Sequence, residues 1–130
     1  MKALFLLLFL IFSVFSAPLG YNLIWSDEFD GNEIDISKWD FNIGGDGWGN
    51  NELEYYTSRP ENAYVSNGLL HIRALKENYG GRSYTSARML SKGKFEFTYG
   101  YIEARIALPS GMGIWPAFWM RACLTRSIPR

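Results

Sequence analysis

The chain has 130 residues, 48% of them apolar and 17% aromatic, with 13 Lys+Arg against 13 Asp+Glu, one His and one Cys. A formal charge of zero, with no block of like charges, excludes the electrostatic footprint of a nucleic-acid or anionic-membrane partner. The apolar content excludes a disordered chain, the single Cys excludes a disulfide-stapled mini-protein or a cysteine zinc site, and the length allows one globular domain at most.

Lys2 precedes an unbroken apolar run over residues 3–12, and Ser13 and Ser16 follow it. That order is the order of a secretory signal peptide, and the run is well short of the roughly 18 to 20 apolar residues that cross hydrocarbon. Val14 and Ser16 suit cleavage between Ser16 and Ala17. The mature chain is then secreted, about 43% apolar, and carries one net negative charge, with no membrane partner. In an oxidising space the lone Cys123 is paired with another chain, free and reactive, or the sign of an anomalous chain end.

Beyond the signal the periodicity is two and the punctuation is glycine, with no helical pattern. Residues 44–50, Gly-Gly-Asp-Gly-Trp-Gly-Asn, lack the lysine and following helix of a phosphate loop and read as a loop with an aromatic tip. Glu52 and Glu54 share a strand face and read as a solvated pair rather than a dyad. Asn67-Gly68, between residues 63–65 and 69–75, predicts a hairpin whose second strand has Leu70, Ile72 and Ala74 on one face and His71 and Arg73 on the other. His71 has no Ser, Cys or second His at a readable spacing and reads as an exposed strand residue. Residues 84–90 predict a strand and Ser91-Lys92-Gly93 a turn. Residues 94–99 and 101–107 predict two further strands, the first alternating Phe95, Phe97 and Tyr99, the second Ile102, Ala104 and Ile106. Pro116 makes residues 114–120 an edge, a bulge or a cleft-lining segment. Short strands with regular turn signals predict an all-β sandwich.

A secreted, neutral, aromatic-rich β-protein suits a carbohydrate ligand, because the C–H faces of sugars pack on Trp and Tyr rings while hydroxyls need polar partners. Trp25 and Trp39, embedded in apolar runs, read as core. The blocks Asp27-Glu28-Phe29-Asp30-Gly31, Ile34-Asp35-Ile36-Ser37-Lys38-Trp39, Trp48-Gly49-Asn50-Asn51-Glu52-Leu53 with Tyr55-Tyr56-Thr57, and Tyr84-Thr85-Ser86-Ala87-Arg88 are followed by three more. These are Tyr99-Gly100-Tyr101-Ile102-Glu103-Ala104-Arg105, Leu108-Pro109 and Gly113-Ile114-Trp115-Pro116-Ala117-Phe118-Trp119-Met120. Together, over about residues 22 to 120, they closely resemble glycoside hydrolase family 16, best its β-1,3-glucanase (laminarinase) branch.

The resemblance implies a two-sheet, concanavalin A-like β-jelly roll with a glucan cleft on its concave face, retaining hydrolysis of β-1,3- or mixed-linkage glucan, no required cofactor, and often a structural calcium ion. Asn51 and Arg88 match cleft-lining polar positions; a role in tying down a loop stays open for both. Trp115 and Trp119 match sugar platforms beside the cleaved bond, and a core role stays open for them too. The calcium position uses the main-chain carbonyls of Glu28 and Gly68 plus a carboxylate near the family's C-terminal end, so ion binding is expected to be weak or lost here.

The family's reaction belongs to a Glu-x-Asp-x-x-Glu segment, preceded by Gly, after the Trp-Pro-Ala-Phe-Trp block. Residues 121–130 contain no carboxylate side chain. Upstream, Glu33-Ile34-Asp35-Ile36 has the first letters, but Ser37 and Lys38 stand where a strand or a bulged strand needs the second glutamate. The expectation is therefore a signal at 1–16, the N-terminal part of a family 16 domain at 17–120 with an incomplete sandwich, and a divergent tail at 121–130. Such a chain is a truncated glucanase, inactive as written and without catalytic residues; a non-catalytic β-1,3-glucan recognition protein and a purely structural β-protein are the alternatives.

Overall fold

Three small sheets organise the computed structural model, which describes residues 17–121; the expected signal segment and residues 122–130, with Cys123, lie outside the described residues. Seven strands follow one another: β1 (Asp40–Asn42), β2 (Glu54–Tyr56), β3 (Ala63–Ser66), β4 (Leu69–Ile72), β5 (Leu75–Tyr79), β6 (Arg82–Ser86) and β7 (Arg88–Leu90). β1 pairs antiparallel with β7, β3 with β4, and β6 lies between antiparallel β5 and parallel β2. Among the described residues there is no helix, and the all-β expectation holds.

Turn chemistry explains the local pairings. Asn67 and Gly68 both take left-handed φ values, 55° and 69°, the combination that a two-residue type I′ hairpin turn requires, and Val65 pairs with Leu70 across it. Gly80 and Gly81, at 53° and 79°, repeat the device between β5 and β6. Ahead of β1, the Asp35 carboxylate accepts the Ser37 backbone N–H at 2.8 Å and its hydroxyl at 2.6 Å, while the Asp35 carbonyl accepts Trp39 N at 3.0 Å. The Ser37 hydrogen bonds, side chain first and then backbone, hold the Asp35 carboxyl below its usual range.

The interior is small and partly polar. Ala63, Val65 and Ala87 are the buried apolar residues, and Thr57, Asn62 and Thr85 are buried beside them. Asn62 bonds in every direction available to it. Its Oδ1 accepts the Thr57 hydroxyl at 2.5 Å and Arg59 Nη2 at 3.1 Å, and its Nδ2 donates to Thr85 Oγ1 at 2.9 Å and the Arg73 carbonyl at 3.1 Å. Glu77 on β5 accepts from Arg59 and from the Thr85 hydroxyl, so the turn before β3 is tied to β5 and β6. A second cluster sits toward the N-terminus: Trp25 meets Trp39 edge-on at 5.3 Å and stacks on Phe95 at 5.4 Å, with Trp39 Nε1 donating to Asp27 Oδ2 at 2.7 Å.

Two strand expectations fail and one is divided. Residues 84–90 do not form one strand: Ala87 separates β6 from β7, passing the chain from the three-stranded sheet to the β1 pair. Residues 94–99 and 101–107 alternate as strands should, yet form none. An isolated alternating segment gains nothing from extension without a partner for its N–H and C=O groups, and no described strand pairs with these residues. Phe97, Ile102 and Ile106 of their apolar faces are accordingly exposed, while Phe95 is half-buried against Trp25. Residues 114–120 likewise form no strand.

Candidate functional site

The loop between β1 and β2 is wound by left-handed residues. Gly47, Trp48, Gly49 and Asn51 have φ of 82°, 49°, 81° and 57°, and the two non-glycines among them are held against a steric cost of about 1 kcal/mol each. The Gly47 carbonyl accepts Asn50 N at 2.9 Å and Glu52 N at 3.1 Å. Asp46 Oδ1 accepts Trp48 N at 3.1 Å, and the Gly45 carbonyl accepts Arg82 Nε from β6 at 2.6 Å. This bracing sets the Trp48 indole, whose Nε1 donates to the Gly44 carbonyl at 3.3 Å.

Pairing brings the other members to it. Gly44 bridges to Tyr56, Asn42 pairs with Arg88, and Tyr56 pairs with Ser86, two residues before Arg88. The Arg88 guanidinium lies over the Trp48 ring at 4.9 Å, over Trp119 at 5.2 Å and over Tyr56 at 6.0 Å. Arg88 Nη1 stands 3.7 Å from Glu52 Oε1, which also accepts Asn50 Nδ2 at 2.9 Å. The Tyr56 hydroxyl donates to Glu54 Oε1 at 2.7 Å. Burial, and then the Glu54 and Glu52 carboxylates, push the Tyr56 hydroxyl far above its usual pKa, so it is a fixed donor throughout the physiological range. Two aromatic faces, one guanidinium, two carboxylates and one phenol thus converge at one end of the sheets, the combination that suits a polyhydroxylated ring.

Residues 16–128 match the family model for "Beta-glucan synthesis-associated protein SKN1/KRE6/Sbg1". A β-glucanase from Rhodothermus marinus is 56% identical over 102 residues, covering 77% of this chain and 36% of that protein. The crystal structure of SCLam, a non-specific endo-β-1,3(4)-glucanase from family GH16, matches with a TM-score of 0.61 at 39% identity, covering 65% of this chain and 36% of that one. The chain belongs to glycoside hydrolase family 16. A more distant relative, a β-1,3-glucan-binding protein from Penaeus monodon, is 26% identical over 138 residues, covering 75% of this chain and 37% of that protein. The chain spans little more than a third of the length of these relatives, and its sheets are the corresponding part of the family's β-jelly roll.

Within the family 16 framework the structure divides the site residues expected from sequence. Arg88 and Trp119 come together; Trp115 is 71% exposed and takes no part in the stack on Arg88. Asn51 is exposed on the strained loop, one residue before Glu52. Sequence reasoning missed Tyr56 and read Glu52 as solvated, whereas its side chain is only 7% exposed and ion-paired. The signal was a carboxylate set in a glycine-rich loop beside Trp48; its partner became visible only through strand pairing.

Glu28 and Gly68, the expected calcium carbonyls, belong to exposed residues of a coil and a hairpin turn. Among the described residues no three His, Cys, Asp or Glu side chains gather as metal ligands, and the pocket around Glu28 already holds the Lys38 ammonium, 2.9 Å from the Ser26 carbonyl and 3.7 Å from Asp27. No step below involves a calcium ion. The same pocket contains Glu28, Asp30 and Glu33, which carry the letters Glu-x-Asp-x-x-Glu. Asp27 replaces the family's preceding glycine there. Phe29 sits at φ 55° and no strand forms, so the alternation that would aim two carboxylates at one bond is absent.

Proposed function

We propose that residues 17–121 form one wall of the β-1,3-glucan cleft of a secreted family 16 glucanase, and that the 130-residue polypeptide by itself holds glucan without cleaving it. The observation that carries this reading is the Arg88 guanidinium, which lies over both the Trp48 and the Trp119 rings. Indole faces accept the C–H side of a glucosyl ring, and a guanidinium offers paired donors to its hydroxyls. Retaining hydrolysis needs a nucleophile and an acid/base about 5 to 5.5 Å apart. That pair is assigned to the family's Gly-Glu-x-Asp-x-x-Glu segment, and residues 1–130 contain no Gly-Glu step. The non-catalytic alternative draws on the glucan-binding relative and predicts the same contacts.

Retention of the full chain on insoluble β-1,3-glucan tests the reading. Arg88→Ala and Trp119→Ala are expected to weaken retention at least tenfold while the folded signal of the β3–β4 hairpin persists, and laminarin is expected to yield no new reducing ends. Undiminished retention in both variants overturns the site, and turnover overturns the assignment of catalysis elsewhere.

A further inference from the structure

Among the described residues Glu52 Oε2 and Arg59 Nε are the buried side-chain polar atoms without a hydrogen-bond partner, and Glu52 is the one beside Arg88. Its side chain is 7% exposed, its Oε1 accepts from Asn50, and its Oε2 is buried with no hydrogen-bond partner. A buried carboxylate oxygen without a donor is costly, and native structures rarely keep one without a use. The one hydroxyl at hand, that of Tyr56, has a single proton and gives it to Glu54. Arg88 is in the complementary condition. Among the described residues its guanidinium makes ring contacts and the 3.7 Å ion pair but no hydrogen bond. That separation exceeds the 2.7 to 2.9 Å or so of a charge-assisted N–H···O bond. An acceptor and a set of donors therefore both lack hydrogen bonds, side by side, where Arg88 meets the Trp48 and Trp119 rings.

We propose that Glu52 is a specificity-determining residue of this cleft: its Oε2 accepts a hydrogen bond from one hydroxyl of a glucosyl unit while Arg88 donates to a neighbouring hydroxyl. This rests on the glucan-binding reading above and assigns to it the group that selects a hydroxylated ring over any flat apolar ligand. A sugar hydroxyl is both donor and acceptor, so a carboxylate and a guanidinium together satisfy an adjacent pair, which neither does alone. A site built to bond a hydroxyl discriminates strongly against the analogue lacking it, because its own polar groups are then left unpaired. Glu52 Oε2 is buried, so the proposal requires Arg88, whose side chain makes no hydrogen bond among the described residues, to shift as a hydroxyl reaches that oxygen.

The experiment measures binding of laminaritriose and its monodeoxy analogues to the full chain and to Glu52→Gln and Glu52→Ala, with thermal unfolding recorded in parallel. One deoxy analogue is expected to bind the wild-type chain tenfold or more weakly than laminaritriose, and to lose nothing further in Glu52→Ala, which itself binds the parent sugar about tenfold more weakly. Glu52→Gln keeps the shape but turns an acceptor into a donor at one of its two positions, and is expected to lose a similar factor. If the variants unfold, the wild-type deoxy series decides alone: no single deletion costing more than threefold overturns the proposal. Lowered thermal stability with unchanged affinity also overturns it and leaves Glu52 a structural partner of Arg88. Failure of the wild-type chain to bind laminaritriose at all overturns both readings, whereas binding that depends on Arg88 but not on Glu52 overturns this one only.

Discussion

Asn62 is fully buried and connects Thr57, Arg59, Arg73 and Thr85 through four hydrogen bonds. Asn62→Leu is expected to cost about 3 kcal/mol in urea unfolding, because each orphaned polar group left behind carries its own desolvation penalty. Glu77, at the edge of this network, has its carboxyl held below the usual value of 4.5 by the Thr85 hydroxyl first and Arg59 second. A depressed folded-state pKa contributes stability at and above the unfolded value and loses it as pH falls through the folded one. Unfolding temperature is thus expected to fall as pH is taken below about 4.5, and less steeply in Glu77→Gln; parallel acid profiles would refute this. Residues such as these were not legible beforehand. Nothing in the string Arg59-Pro60-Glu61-Asn62 marks an asparagine as a core residue, just as nothing around Glu52 announced burial, because both depend on partners eleven or more positions away.

One hairpin, by contrast, was legible from its turn residues, whereas the Gly80-Gly81 turn between β5 and β6 was not anticipated. Asn67-Gly68 specified a turn, and the structure supplies it with the register that places Tyr64 against His71, rings stacked at 4.6 Å. The two glycine turns differ in a way that substitution can read. A Cβ on Gly68 meets nothing within 4 Å, so Gly68→Ala is expected to cost only the left-handed strain, about 1 kcal/mol. A Cβ on Gly80 collides with the Tyr55 ring, so Gly80→Ala is expected to cost more than Gly68→Ala in the same denaturant titration. Equal losses would refute the close packing of Tyr55 on the β5–β6 turn. Alternation alone proved a poorer guide than turns. Residues 94–107 satisfy period two, but a strand is a property of a pair of segments, and periodicity describes only one.

At the scale of the whole molecule, apolar side chains outnumber the interior that receives them. Leu23, Ile24, Ile106, Leu108, Met112 and Phe118 are exposed among the described residues, while three small or branched side chains make up the buried apolar set. Exposed apolar surface on this scale promotes association. The 130-residue chain is expected to enhance the fluorescence of an apolar dye and to self-associate with rising concentration, and a monomer that leaves the dye dark would contradict this. The family was legible from ordered motif blocks, whereas the division into three small sheets was not, since it depends on Ala87 as a corner that no composition marks.

The pairing of Asn42 with Arg88 has a kinetic consequence. The β3–β4 and β5–β6 turns close two-residue loops and form within microseconds, whereas β1 and β7 enclose about 46 residues, and loop closure over that span carries a larger entropic barrier. Arg88 is therefore expected to reach Trp48 after both hairpins have formed. Interactions made after the rate-limiting barrier govern how fast a chain unfolds rather than how fast it folds. Substitutions at Arg88 are accordingly expected to act on the unfolding limb of a chevron, shortening the life of the folded chain without slowing its birth.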